Sequence, residues 1–382
     1  MKWERKILHD VADLALGKML DEKKNKGEFR FYLANVNVRW GAFDLQHLRQ
    51  MRFQPHEVDR YGLKPGDIVM CEGGEPGRCA IWKGDLPGVM IQKALHRIRS
   101  HACLDHRFLF YSLVHQGRSG GLHRLFTGAT IKHLPREQLA KVEVQIPPLP
   151  MQASIASILV AYDDLIEINR RRIALLEEMA RRLFLEWFVH ERIPGGDSKD
   201  FTPVLLGEVA EIQLGDTNTT KASYVSQGYM TYSASGPDGF LDHFDHEGLG
   251  IVLSAIGAQC GKIWLADGRW SCIKNTIFLK ARDKKTTTRI LYLLLSREDV
   301  WPKRGAAQPF ISQGDARKVP LRLPSFAVQE KFDQLVAPML HQRRTLEAAN
   351  KLLAQSRDLL LPRLISGELS ASTTEGKLEA VA

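Results

Sequence analysis

The stretch "GAQCGKI" (residues 257–263) contains the Gly-Lys pair of a phosphate-binding loop. A Walker A loop needs Gly-x-x-x-x-Gly-Lys-Ser/Thr, whose backbone cradles the phosphates and whose hydroxyl holds Mg²⁺. Ile256 stands at the first Gly position and Ile263 at that of the hydroxyl, so both parts are missing. In "DHFDHEG" (residues 242–248), Asp242, His243, Asp245, His246 and Glu247 are possible metal ligands. Their spacing fits neither an EF-hand nor a His-x-x-x-His helix site, and a solvated turn between strands accounts for them better. The six histidines of residues 91–141 lack the Ser or Cys context of a triad. "IPPLP" (residues 146–150) has Ile before its prolines and Leu after, unlike the Asp/Asn-Pro-Pro-aromatic motif of amino-methyltransferases. No cofactor-type Gly-x-Gly-x-x-Gly stands between a strand and a helix. These residues predict a protein without chemistry of its own.

Charge points to a binding role instead. Residues 91–141 hold nine Lys/Arg against two acids, and residues 262–322 hold fourteen against five. The net charge of the chain is +9, so the remainder sums to −7. Two basic regions, one in each half, are the footprint of two surfaces facing a polyanion.

Each basic region runs into a Pro-containing segment and then a periodic helix. "QIPPLPMQASIASIL" (residues 145–159) is nearly repeated by "RLPSFAVQEKFDQLV" (residues 322–336), with Pro147, Leu149 and Gln152 falling 177 residues before Pro324, Phe326 and Gln329. The first helix, predicted from about Ala153 to Phe188, carries two heptad lines. One is Leu159, Ile166, Ile173, Ala180 and Trp187; the other is Ile155, Tyr162, Asn169, Leu176 and Leu183. That is a coiled-coil pattern, in which a single buried Asn sets register unless it lies exposed at a distorted position. In the second helix the seam is Phe332, Met339, Leu346, Leu353 and Leu360, with Leu335, Gln342, Ala349 and Ser356 three residues on. Pro338 predicts a break or kink there, with the main helix running from about Pro338 to Leu361 and ending at Pro362 and Gly367. Pro194, Gly195, Gly196 and Pro203 mark a linker between the halves, and residues 371–382 read as a frayed tail.

Before each helix the chain reads as irregular mixed α/β. "LKPGDIVMCEGGEPGRCAIWKG" (residues 63–84) and "GLGIVLSAIGAQCGKIWLADG" (residues 248–268) both predict a hairpin with a glycine loop, at an offset of 183 residues. At 382 residues the chain has room for two ordinary domains plus connecting elements. No apolar run approaches a membrane span, so a soluble cytoplasmic protein is expected. Cys71, Cys79, Cys103, Cys260 and Cys272 form an odd set without a C-x-x-C pair and read as reduced thiols, mostly in cores.

"IPPLPMQASIASILVAYDDLIEINRRRIALLEEMARRLFLEWF" and "LLLPRLISGEL" resemble the central and C-terminal conserved regions of type I restriction-modification specificity subunits. "YMTYSASGPDGFLDHFDHEGLGIVLSAIGAQCGKIW" resembles that family's target-recognition domains. The departures are "SFAVQ" in place of the usual Pro-rich entry and the weaker second seam. The resemblance implies an α/β (α+β) fold with two mixed target-recognition domains separated by two long helices packed as an antiparallel coiled coil. Its segments would be recognition domain one (1–148), central helical spacer (149–192), recognition domain two (193–324), C-terminal helical spacer (325–370) and flexible tail (371–382).

By the same resemblance the chain is a non-catalytic specificity subunit reading a bipartite double-stranded DNA target, one half-site per domain. Two modification subunits would supply adenine-N6 methylation with S-adenosylmethionine, and restriction subunits ATP- and Mg-dependent cleavage, with no cofactor or metal in this subunit. The alternatives are the specificity subunit of a related methyltransferase-nuclease system, or a coiled-coil scaffold with protein-binding domains. Loops on a rigid scaffold carry specificity. The candidate DNA contacts are Glu72, Gly73, Gly74, Arg78, Arg118, Ser119, His123 and Arg124 in the first half. In the second they are Ser233, Ser235, Ser254, Gln259, Lys262, Lys303, Arg304 and Gln308. Helix packing is assigned to Ile155, Leu159, Tyr162, Ile166, Asn169, Ile173, Leu176 and Leu183 against Met339, Leu346, Leu353 and Leu360. A helix of this length spans roughly 54 Å at 1.5 Å per residue, so helix length is expected to set the spacing of half-sites.

Overall fold

The computed structural model describes residues 3–22, 25–194, 201–282, 284–297 and 299–370. The chain divides into two compact units: residues 1–170 with 348–382, and residues 171–347. The tail assigned to residues 371–382 and the linker glycines Gly195 and Gly196 lie outside the described residues.

In the first unit, strand Glu4–Ile7 pairs antiparallel with Glu143–Ile146, so the two ends of the globular part close on each other. A four-stranded antiparallel sheet holds Ala12–Leu16, Leu95–Ser100, Ile68–Cys71 and Cys79–Ile81, in that order. Strand Ile68–Cys71 is buried along its whole length, as its unbroken apolar run dictates. Helix His106–Arg118 covers the sheet, its start capped by the Asp105 carboxylate, which accepts from the Arg107 and Phe108 amides. A second, three-stranded sheet joins Arg49–Phe53, Glu28–Leu33 and Met90–Ile91, the last pair parallel.

The second unit repeats this plan. Thr202–Leu205 pairs with Pro320–Leu323, the matching four-stranded sheet is Ala210–Leu214, Thr276–Ala281, Gly250–Ser254 and Ile263–Ala266, and a further four-stranded sheet joins Gly236–Leu241, Tyr229–Ser233, Arg269–Cys272 and His246–Glu247. Pro203 therefore stands in a strand, not in a linker; that strand lies at an edge, where a missing N–H is tolerated. Both hairpins expected from the glycine-loop stretches are present, Ile68–Cys71 with Cys79–Ile81 and Gly250–Ser254 with Ile263–Ala266.

Two long helices start in one unit and end in the other. The first is Leu149–Phe184, continued by a π-helical turn Leu185–Val189; the second is Phe326–Ile365. The core of the first unit takes Ile155, Ile158 and Leu159 from the start of the first helix, with Leu361 and Leu364 from the end of the second. The second unit's core takes the opposite ends, Phe184, Trp187 and Phe188 packing on Phe332 at centroid distances of 4.9 to 6.5 Å. Each unit thus closes its core with helix ends from both repeats.

Three expectations for the second helix are corrected. Pro338 does not break it, and Pro362 does not end it. The exposed Pro338 sits on the outer face, while Phe332, Val336 and Leu346 are buried on the other, so packing outweighs the lost hydrogen bond. The helix stops before Gly367, whose φ of 76° is left-handed. Finally, Leu335, Gln342 and Ser356 are exposed, and the inward line lies four residues after each seam position: Val336, Arg343, Asn350, Arg357 and Leu364.

The polar members of that line find partners on the first helix. In the first unit the buried Asn169 donates its Nδ2–H to Asn350 Oδ1 at 2.9 Å, and Arg357 pairs with Asp163, which also accepts from the Tyr111 hydroxyl at 2.6 Å. Burial pushes the Tyr111 hydroxyl pKa up, so it remains a donor. The order of these pairs along the chain makes the two helices antiparallel there. In the second unit Arg343 donates to Glu177 at 3.0 Å. Ile155, Leu159, Ile166 and Leu346 are buried, while Tyr162, Ile173, Leu176, Leu183, Met339, Leu353 and Leu360 are half-buried.

Gln152 and Gln329 fasten each helix start to its domain. Gln152, 1 % exposed, accepts from the Asp105 amide at 2.8 Å and donates to the Pro147 carbonyl at 2.8 Å and the Cys103 carbonyl at 3.3 Å. Gln329 accepts from the Thr286 hydroxyl at 2.7 Å and donates to the Pro324 carbonyl at 2.9 Å and the Lys285 carbonyl at 3.3 Å.

Candidate nucleic-acid interface

At one end of each of the two matching four-stranded sheets, one per unit, three pieces of chain meet. In the first unit they are the glycine loop 72–78, the turn 92–94 and the small loop 127–133. Glu72 donates its amide to the Ala94 carbonyl at 2.8 Å, and Leu134 donates to the Glu72 carbonyl at 2.7 Å. Gly73 bridges to His133, while Thr127 and His133 exchange amide bonds at 2.8 and 2.9 Å.

The second unit makes the same contacts with different side chains. Ala255 donates to the Asn275 carbonyl at 2.9 Å, and Ile311 donates to the Ala255 carbonyl at 2.8 Å. Ile256 bridges to Phe310, while Arg304 and Phe310 exchange amide bonds at 2.9 and 2.8 Å. Gly128 and Gly305 occupy matching positions, with φ of 91° and 79°. A Cβ there would lie 2.1 Å from the Ile131 carbonyl oxygen or 2.7 Å from that of Gln308, so only glycine fits either place.

Most of the second half's candidate contacts gather on this edge. Gln259, Lys262, Lys303, Arg304 and Gln308 are exposed on the two adjoining loops, with the Lys262 ammonium 5.8 Å from the Trp264 ring centre. Arg304 pairs with the buried Asp315, to which the Ser312 hydroxyl donates at 2.6 Å. The Ser312 hydrogen bond foremost, with Arg304 beside it, holds the Asp315 carboxyl below its ordinary range.

Ser254 and Ser233 are corrected. Ser254 is 0 % exposed inside strand Gly250–Ser254, and its hydroxyl has no partner among the described residues. Ser233 is buried and donates to Asp238 at 2.7 Å, while the exposed Ser235 donates its amide to the Ser233 hydroxyl at 3.0 Å. Since a buried unpaired hydroxyl is destabilising, Ser254→Ala is expected to leave DNA binding unchanged and to raise stability by up to about 1 kcal/mol. Thermal melting of the purified chain checks this; a fall in melting temperature would contradict it.

In the first unit, Glu72, Gly73 and Gly74 belong to the shared edge, although Gly73 is buried against His133. Arg78 braces the loop from within, donating to Glu75 at 2.7 Å and to the Asn35 carbonyl at 2.9 Å. In the nominated run of residues 116–126, Arg118, Ser119 and His123 have contacts within the protein. Arg118 rests 5.4 Å from the Trp40 ring centre and donates to Asp358 of the second long helix at 3.1 Å. The Ser119 hydroxyl donates to the Gln116 carbonyl at 3.4 Å, and the His123 ring lies 5.3 Å from that of Phe126. Arg124, exposed, lines a pocket of about 590 Å³ with Arg5, His115 and Gln145.

The place that Arg304–Phe310 takes in the second unit is held here by Thr127–His133, which sequence reading passed over. The signal was available: Gly128-Ala129 and Gly305-Ala306 are separated by the same 177 residues as the two glutamines. Phe29 and Phe31 are a further exposed feature of this unit. Exposed at 58 % and 44 % on one face of strand Glu28–Leu33, they stand opposite Arg52 and Gln50, with the Arg52 guanidinium 4.3 Å from the Phe29 ring centre. The acidic run 242–248 is split: His243 pairs with Asp242 at 2.8 Å, whereas His246 stacks on Phe278 at 4.2 Å. Cys71, Cys79, Cys260 and Cys272 are buried and Cys103 is exposed; burial pushes the Cys272 thiol up to about 12.

Two units with one plan and the same basic-flanked edge agree with the pattern of sequence similarity. The type I restriction modification DNA specificity domain matches twice, over residues 1–178 and 198–341. The chain belongs to this family. A type I restriction enzyme specificity subunit of Methanocaldococcus jannaschii, MjaIX, is 20 % identical over 296 residues, covering 69 % of this chain and 68 % of its own. A second from the same organism, MjaVIII, is 26 % identical over 190 residues, covering 47 % and 44 %. The crystal structure of the type I S subunit from M. genitalium superimposes with a TM-score of 0.66 at 18 % identity, over 95 % of this chain and 96 % of that one. A chain from work on complex assembly and conformational transition of the type I R-M system gives 0.52 at 16 % identity, over 96 % and 98 %. The mixed helix-and-sheet fold is therefore that of type I specificity subunits.

Proposed function

We propose that this chain is the DNA sequence-specificity subunit of a type I restriction-modification complex and performs no catalysis itself. Each unit reads one half-site of a split target. The observation that carries this reading is the pair of matching three-piece edges, each with two of its three pieces in a basic region of a chain that matches the specificity domain twice.

Two modification subunits supply S-adenosylmethionine and the adenine methylation, and restriction subunits add ATP, Mg and cleavage. An unpaired apolar face supports helix-borne partners. Leu165, Ile168, Leu175 and Met179 are exposed on the first long helix at helical spacing. No described helix is long and apolar enough to cross a membrane, so this face is not a span. A cytoplasmic location suits a protein that acts on chromosomal DNA.

Methylome sequencing of the host with and without the gene tests the function. A split adenine-methylation motif that disappears on deletion is expected; an unchanged methylome would overturn the reading. Arg124→Glu, at an exposed arginine, is expected to weaken duplex binding by the assembled complex and to shallow its salt dependence. Binding titrations at several salt concentrations check it. Arg304→Glu is the poorer probe, because it would set a second carboxylate against Asp315.

A further inference from the structure

The two units are proposed to read different half-sites, so a feature identical in both cannot carry the difference between them. The turn before the second strand of each of the two matching four-stranded sheets, Leu95–Ser100 and Thr276–Ala281, is such a feature. Lys93 precedes Ala94, whose φ is 92°, and Lys274 precedes Asn275, whose φ is 70°. Residues other than glycine seldom adopt this conformation, and it persists only where the surroundings impose it.

Both turns are held in the same way. The carbonyl after each lysine accepts from the first residue of the glycine loop, Ala94 from Glu72 and Asn275 from Ala255. The residue before each lysine is pressed by a glycine. A Cβ on Gly17 would lie 2.4 Å from the Gln92 carbonyl oxygen, and one on Gly215 would lie 2.5 Å from that of Ile273. These glycines in turn donate their amides to the Leu95 carbonyl at 2.9 Å and the Thr276 carbonyl at 3.0 Å. The backbone on both sides of each lysine is fixed, while the lysines are half-buried and exposed respectively and take part in no ion pair among the described residues.

We infer that Lys93 and Lys274 are equivalent phosphate anchors, one per half-site, that hold the DNA backbone whatever the base sequence. A lysine ammonium is a point charge without the fork that reads a base edge, and phosphate contacts position a protein without specifying sequence. This rests on the DNA-specificity reading above.

The test measures binding of the assembled complex to its target duplex and to a scrambled duplex between 50 and 200 mM salt. Lys93→Gln and Lys274→Gln are each expected to reduce the slope of log affinity against log salt by about 0.9, one phosphate's share of counterion release. The fall in affinity across that range then shrinks by about 3.5-fold per lysine, equally on both duplexes. Lys93→Arg and Lys274→Arg are expected to keep the wild-type slope. An unchanged slope in the glutamine variants, or a loss confined to the target duplex, would overturn the inference. A wild-type complex that holds neither duplex would instead overturn the function on which it rests.

Discussion

Gln152→Ala is expected to destabilise the first unit by about 3 kcal/mol, because it strips the partners from one amide and two carbonyls in a dry site. The side chain is 1 % exposed and joins the Asp105 amide, the Cys103 carbonyl and the Pro147 carbonyl. Asp105 also caps helix His106–Arg118, so the loss spreads to the start of that helix. Gln329→Ala is expected to do the same in the second unit through Thr286, Lys285 and Pro324. Against a total stability of about 5–15 kcal/mol, either change is large. Denaturant unfolding with hydrogen exchange at residues 103–109 and 285–291 checks both. Amides at those positions that exchange no faster in the variants would refute the fastening role.

Inserting four residues in the first helix near Arg171 is expected to change the spacer between the half-sites and leave both half-site sequences intact. Leu149–Phe184 starts in one unit and ends in the other, and the loops nominated for DNA contact lie outside it. Four residues add about 6 Å at 1.5 Å per residue, which is about two base pairs at 3.4 Å each. Methylation-site mapping of a strain carrying the insertion reads the result directly. Altered half-sites with an unchanged spacer would show that helix length does not set the spacing.

The repeat was legible because it rests on residues with strong local preferences. Pro147 and Pro324 exclude helix and enforce extended chain, Ile and Val runs make the strands, and glycines make the hairpin loops. The recurrence of Gln152 at Gln329 was visible too, but not its purpose. A glutamine in sequence looks like surface; its partners, Asp105 and Thr286, lie more than forty positions away.

The second helix shows the limit most sharply. Periodicity placed Leu335, Gln342, Ala349 and Ser356 beside the seam, since a line holding Leu and Ala outscores one holding Arg343, Asn350 and Arg357. The fold chose the polar line, because Glu177, Asn169 and Asp163 stand opposite and bond to it. Ser254 failed for the converse reason: its glycine-rich neighbourhood reads as loop, but strands on both sides bury it.

By itself, then, the sequence determined the doubled plan, the hairpins, the presence of a long helix after each domain and the family, all of which follow from local preference and spacing. Which polar residues turn inward, and which loops share an edge, only the tertiary structure decided. Those outcomes depend on partners brought together from distant parts of the chain, and a buried polar group is tolerated only where such a partner completes its hydrogen bonds.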